Sequence, residues 1–369
     1  MQSQHPIIIL GGTGRAGRAI ATLLLEHAPV AVVLAGRSRE RAQAAADQLN
    51  RTVPDRVSAV QVDVTDPASL RAAFTGCRLV IVCVPFTDHA AQHVITAALD
   101  AGIDYIDINT DAAKHRVFAQ YASRMQQGRS VLLTEAGIIP GCPALLLRQA
   151  AQECEHLDEV TVGSLMRDPQ MPRGSAADIV AHAGTPAQRY QDGQWRQAGP
   201  FAHRWLDFGP PFGKRFTVPV TLPELHALPD TLPVRRLVVY QAGFNPVLNL
   251  VLLLWKLLGL SRSARGRRWG IDLFLWANRR FSSPPYGIVV LLEATGQRAG
   301  TAHTWRVVLR HTDVYVATAI PVVAGVLQLL DERIARPQQG FLGHLVEPER
   351  FLTDCERLGL RVDITGSPR

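Results

Sequence analysis

The sequence predicts an α/β protein in two parts: an N-terminal doubly wound parallel sheet, then a second domain of mixed α+β character. Three observations predict it. Continuous apolar runs alternate with helically spaced segments over residues 1–135, the first run ends in a cluster of glycines, and from Ile139 the rhythm gives way to short segments separated by prolines. Apolar runs without polar alternation mark strands covered on both faces, as parallel sheets with crossover helices require.

Taken in order, Ile7–Leu10 is the first strand and Arg15–Glu26 has the apolar spacing of a helix. Val30–Ala35 is a β-branched strand, Arg39–Leu49 an alanine-rich helix, and Val57–Val62 a strand running into Asp63. Asp66 is placed to cap a helix that Pro67 opens and Phe74 ends. A carboxylate there accepts from unpaired N–H groups, and proline at the first turn removes none that was needed. Leu79–Val84 is a strand stopped by Pro85, Asp88–Asp100 a helix ended near Gly102, and Asp104–Ile108 a strand. Asp111–Gln127 is a helix closed by Gly128, and Val131–Thr134 is the sixth strand. Beyond it, prolines such as Pro140, Pro172, Pro200 and Pro219 separate short segments including Glu159–Leu165 and Val234–Tyr240. Val314–Leu330 and Pro348–Leu358 return to helical patterning before a terminal strand, Arg361–Ile364. The expected divisions are 1–138, 139–310 and a helical segment, 311–369, that packs back on the first domain.

The turn after the first strand reads Gly11-Gly12-Thr13-Gly14-Arg15-Ala16-Gly17. It follows a strand and opens a helix, the setting in which GxGxxG binds a dinucleotide in a Rossmann domain. Glycine permits the tight turn, lets backbone approach a pyrophosphate and lets the helix pack on its strand, while N–H groups at the helix start face the phosphates. The end of the second strand separates NAD from NADP. An NAD site places Asp or Glu there for the ribose 2′-hydroxyl. This chain has Arg37-Ser38-Arg39, with no acid until Glu40, which suits a 2′-phosphate. The expected cofactor is NADP. Asp63 and Val64, after the third strand, are expected at the adenine, and Val84 and Pro85, after the fourth, at the nicotinamide side.

Composition narrows the classes. With 47% hydrophobic and 19% charged residues the chain has enough apolar material for a sizeable core. Five scattered cysteines without a CxxC pair argue against a disulfide framework and a zinc site, and fit a reducing cytosol. The twelve histidines show no metal spacing, so no metal is expected. The net charge of +7 invites nucleic acid, anionic lipid or a phosphorylated ligand. The N-terminal arginines gather around the nucleotide motif, which favours the ligand over nucleic acid. No signal peptide is expected. The expected location is cytoplasmic, with a peripheral position on the inner face of the membrane as a second reading.

The motifs GGTGRAG (11–17), LAGRS (34–38), Asp107-Ile108-Asn109-Thr110-Asp111 and Thr134-Glu135-Ala136-Gly137-Ile138-Ile139-Pro140-Gly141 resemble the saccharopine dehydrogenase-like family of NADP-binding reductases. The resemblance implies a Rossmann domain, a mixed second domain and a C-terminal segment returning to the first. It leaves the substrate open, since the family includes enzymes acting on amino-acid C–N bonds and others linked to lipid reduction.

Candidate chemistry sits at the strand ends. No tyrosine is followed four residues later by lysine, which excludes the short-chain dehydrogenase pair. Asn109, Asp111, Lys114 and His115 follow the fifth strand, with Asp111 and His115 on one helix face, as a proton-handling group or as an ordinary helix start. Glu135 and Cys142 flank the turn into the second domain, and Cys142 reads either as an activated thiol or as a small buried residue. Arg173 and Ser175 precede a helix whose start either binds a substrate anion or is simply capped. Tyr315 is a further catalytic candidate, with packing as its plainer reading. Val247–Leu260 is apolar yet too short to span a membrane, and Arg262, Arg265, Arg267 and Arg268 follow it. A buried or dimer-interface helix, a membrane-surface contact over 247–276 and a greasy substrate channel all remain open there. The reading is an NADP(H)-dependent oxidoreductase acting on a C=N, C=O or conjugated C=C bond, a homodimer with a small-molecule substrate. The alternative is a non-catalytic NADP-binding scaffold.

Overall fold

The computed structural model describes residues 5–85, 88–110, 112–183, 186–199, 202–242, 245, 247–248, 250, 254–255 and 263–368. They form two units: residues 1–145 with 318–359, and residues 146–317 with 360–369.

The first unit is built on a parallel sheet in the order β3-β2-β1-β4-β5-β6-β15. Its strands are β1 (Ile7–Leu10), β2 (Val32–Gly36), β3 (Val57–Gln61), β4 (Leu79–Val82), β5 (Asp104–Asp107), β6 (Val131–Thr134) and β15 (Gln338–Phe341). β1, β4 and β6 are buried at every position, as their unbroken apolar runs predict. Helix α1 (Arg15–His27) buries Ile20, Leu24 and Leu25, and each such side chain contributes about 1.5–3 kcal/mol. Helices α2 (Arg39–Asn50), α3 (Pro67–Phe74), α4 (Asp88–Ala101) and α5 (Ala112–Gln126) complete the alternation. Chain order reverses between β1 and β4, so the crevice beyond their carboxyl ends is where such a sheet takes ligands.

Some element ends differ from the sequence reading. β4 stops at Val82, so Val84 and Pro85 leave the sheet rather than end it, and Asp111 lies outside the described residues. The seventh strand has no counterpart in the sequence reading. β15 pairs parallel with β6 over Gln338–Phe341, and Arg336 just before it grips Asp104 of β5 with two hydrogen bonds of 2.6 and 2.7 Å.

The second unit carries a mixed nine-stranded sheet whose main path is β10-β11-β12-β7-β13-β14-β16. Here β7 is His156–Arg167, β10 Arg204–Asp207, β11 Lys214–Val220, β12 Arg236–Ala242, β13 Gly287–Arg298, β14 Thr301–His311 and β16 Arg361–Pro368. The hairpin of β8 (Gln188–Gln191) and β9 (Gln194–Gln197) hangs from β12. β12 and β7 run parallel while β13, β14 and β16 pair antiparallel. β13 and β14 are joined through Ala299 and Gly300, both at positive φ (50° and 74°), the backbone a two-residue hairpin turn demands. Among the described residues no helix is long and apolar enough to cross a membrane.

Candidate active site

β1 delivers the chain into Gly11, whose φ of +80° favours glycine and whose added Cβ would meet Val84 Cγ1 at 2.9 Å. The glycine turn therefore lies against Cys83 and Val84, which follow β4. A Cβ on Gly17 would strike the carbonyl oxygen of Gly11 and lie 2.8 Å from Gly12 Cα, so α1 sits directly against the turn. Gly14 is the N-cap of α1 and makes no side-chain cap. Ser38 instead caps α2 by accepting from the Arg41 N–H (3.3 Å), and Asp66 caps α3 by accepting from the Ala68 N–H (2.9 Å). A helix start pressed on a glycine turn, with no side chain of its own at the cap, fits a pyrophosphate. Thr13, Arg15 and Ala16 lie in the same turn.

Arg37 and Arg39 are exposed after β2, with Ser38 half-buried between them. Asp63, also exposed, accepts at Oδ1 from the Thr65 hydroxyl (2.7 Å) and N–H (2.9 Å). These bonds hold its carboxyl below the usual value, and the charge of Arg37 adds to the effect. Val64 follows it, half-buried, ahead of α3.

A second cluster forms where β5 and β6 end. Asp107 is fully buried and accepts at Oδ2 from the Tyr105 hydroxyl at 2.7 Å. Lys114 Nζ, also fully buried, lies 2.7 Å from Oδ1, which accepts from the Asn109 N–H at 2.9 Å as well. Thr134 Oγ1 is 3.0 and 3.1 Å from the two oxygens, and Lys114 also donates to the Asn109 carbonyl. Burial, then the negative charge of Asp107, pushes the Tyr105 hydroxyl well above its usual value and keeps it a donor. Burial likewise raises the Cys83 thiol, between β4 and Val84, to about 12.

Beside this cluster stands Glu135, fully buried and held at a φ of +55°. A non-glycine residue there costs about 1–3 kcal/mol and persists only where its surroundings dictate it. They do: Gly141, at φ +127°, folds the Gly137–Gly141 loop back so closely that its Cβ would meet the Glu135 carbonyl. Glu135 Oε1 lies 2.9 Å from His115 Nε2, while Oε2 has no hydrogen-bond partner among the described residues. The His115 side chain is 29% exposed, and its ring lies 5.3 Å from that of Phe341 on β15. Asn109 Nδ2 is another buried polar atom without a partner among the described residues. A buried carboxylate joined to a part-exposed imidazole can hold one proton and pass it outward.

The remaining expected residues lie elsewhere. Cys142, first in helix α6 (Cys142–Glu153), is fully buried with Sγ 3.8 Å from the Gly137 carbonyl oxygen. Arg173 and Ser175 open helix α7 (Arg173–Ala183) in the second unit, where Arg173 pairs with Asp272. Tyr315 belongs to the second unit too, half-buried, its N–H donating to Asp313 Oδ1 at 2.7 Å. Among the described residues no group of three or more His, Cys, Asp or Glu could hold a metal. The sequence reading singled out His115 and Glu135 separately and missed their pairing. It also missed Asp107 as a hub, although Tyr105 and Asp107, two apart on one strand, fall on the same face.

Residues 7–135 match the family model described as Saccharopine dehydrogenase NADP binding domain. The chain is 29% identical over 144 residues to an Arabidopsis thaliana protein named "Probable mitochondrial saccharopine dehydrogenase-like oxidoreductase". That match covers 36% of this chain and 32% of the relative, so it spans about a third of the relative's length. Apo saccharopine dehydrogenase (L-Glu forming) from Saccharomyces cerevisiae resembles it with a TM-score of 0.71, covering 98% of this chain and 100% of that one. Identity there is 16%, so the likeness is one of fold. That likeness of fold extends over both the parallel sheet of the first unit and the mixed sheet of the second.

Proposed function

We propose that this chain is an NADP(H)-dependent oxidoreductase transferring hydride to or from a C=N, C=O or conjugated C=C bond of a small molecule. The observation that carries the reading is the glycine turn packed on α1, followed after β2 by Arg37-Ser38-Arg39 in place of a carboxylate. Residues 11–17 would hold the diphosphate. Arg37, Ser38 and Arg39 would hold the 2′-phosphate, Asp63 and Val64 the adenine, and Val84 and Pro85 the nicotinamide side. Bound NADP(H) supplies or takes up the hydride.

What the chain adds is control of the proton. In this reading His115 gives a proton to the substrate nitrogen, oxygen or carbon that gains electrons, and takes one back in the reverse direction. Glu135 orients the imidazole through the 2.9 Å contact at Nε2, which leaves Nδ1 for exchange. Asn109, whose Nδ2 has no partner among the described residues, would donate to the substrate. Lys114, fully buried on Asp107, is a positioning residue here and not an acid.

The test is anaerobic incubation with NADPH and panels of imines, ketones and enoyl thioesters, followed at the nicotinamide absorbance. Oxidation with at least one class is expected. Tight NADPH binding with no oxidation in any class would instead favour the non-catalytic scaffold. Arg37→Ala is expected to weaken NADPH about 10- to 100-fold, the worth of a charge-assisted contact, and to leave NADH nearly unchanged. Equal loss for both cofactors contradicts the assignment to NADP. The homodimer is checked by sedimentation velocity.

A further inference from the structure

Helix α8 (Ala264–Phe281), in the second unit, reads ARGRRWGIDLFLWANRRF, with five arginines and one acid. Ser263 caps it by accepting from the Gly266 N–H at 3.0 Å. Its inner side is fixed by Phe274, Leu275 and Ala277, which pack with Trp255 and Leu248. Trp255 donates to the Gly266 carbonyl at 2.9 Å and lies so close to Gly270 that a Cβ there would meet its Nε1 at 2.6 Å. These contacts fix which way the helix turns about its axis.

The outer face is unusual for water. At 100° per residue Arg265, Trp269, Trp276 and Arg279 fall on one stripe, with Arg268 and Arg280 on its two flanks. Trp269 is 53% and Trp276 54% exposed. Asp272 lies in the same stripe, but Arg173 pairs with it and its carboxyl is held below the usual value by that hydrogen bond. Leu250 and Leu254 are exposed as well, and Trp255, next to Leu254, is bonded to α8. Indole rings framed by guanidinium groups suit the boundary between lipid headgroups and acyl chains, where the ring is half wet and the cation meets phosphate. A second copy of this face across a two-fold axis would bring arginine against arginine. A nucleic acid would take the arginines and the rings but has no use for Leu250 and Leu254.

We propose that the arginine–tryptophan stripe of α8 seats this chain on an anionic lipid surface. The contact lies in the interface plane, with Trp269 and Trp276 entering the headgroup layer and the arginines bound to lipid phosphates. It overlaps the stretch 247–276 where the sequence left a membrane-surface contact open, although most of the apolar run 247–260 lies outside the described residues.

The test uses the whole chain and vesicles of phosphatidylcholine with and without phosphatidylglycerol. Flotation with the anionic vesicles, lost at high salt, and a blue shift of tryptophan emission are expected. Each arginine replaced in the series Arg265→Gln, Arg268→Gln, Arg279→Gln should weaken partitioning about fivefold. Trp269→Ala with Trp276→Ala should remove the blue shift. All five positions are exposed, so the unfolding midpoint should stay unchanged and serves as the folding control. No flotation with anionic vesicles overturns the proposal, as does flotation indifferent to the glutamine series. Stripe-dependent binding to RNA or to a second copy without vesicle binding overturns it too. NADPH oxidation is scored separately, so failure here and failure of the oxidoreductase reading are distinguishable.

Discussion

Asp107 concentrates the energetics of the first unit in one carboxylate. It accepts from Tyr105, Thr134, Lys114 and the Asn109 N–H, so an ionised group far from water is satisfied on both oxygens. Its value is clearest on removal. Asp107→Ala strands the Lys114 ammonium in the interior, and the unfolding free energy is expected to fall by about 3–5 kcal/mol, read as a lowered urea midpoint. His115 makes a different prediction. His115→Asn should lower kcat about 10²- to 10⁴-fold while NADPH affinity stays close to wild type. A fall in affinity as large as the fall in rate would make His115 a structural residue. The spacing on β5 already places Tyr105 with Asp107, whereas Glu135 and His115 are 20 positions apart and meet only once the chain is folded.

At the scale of elements, local signals were readable and long-range ones were not. The glycine turn declares itself because its demands are local: a positive φ at Gly11 and a helix too close to admit any Cβ at Gly17. Gly17→Ala places a methyl group against the Gly11 carbonyl, a rigid neighbour. A loss of about 1–3 kcal/mol in stability is expected, with weaker NADPH binding by titration. An unchanged affinity would show that the turn can yield. The opposite case is β15. Gln338-Gln339-Gly340-Phe341 has neither an apolar run nor alternation, because an edge strand pairs on one side only and is half-buried throughout. Its hold comes from partners far upstream, chiefly the Arg336–Asp104 pair, and no window of sequence around it contains them.

For the molecule as a whole, the C-terminal third is divided between the two sheets. Residues 318–359 belong to the first unit, and β16 closes the second by pairing with β14 from His303 to Arg310. A chain ended after Gly359 is expected to bare the edge of β14 and aggregate, seen as light scattering, while its first unit still binds NADPH. Composition and alternation disclosed the two-part α/β plan, but the shared ownership of the last segment follows from pairings that composition does not encode. The parallel sheet also imposes a schedule. A ribosome lays down β1 to β6 early, yet the sheet stays one strand short until residue 341 has cleared the exit tunnel. At about 5–20 residues per second the nascent chain carries the naked flank of β6 for roughly ten seconds or more, an interval in which a chaperone has reason to attend it.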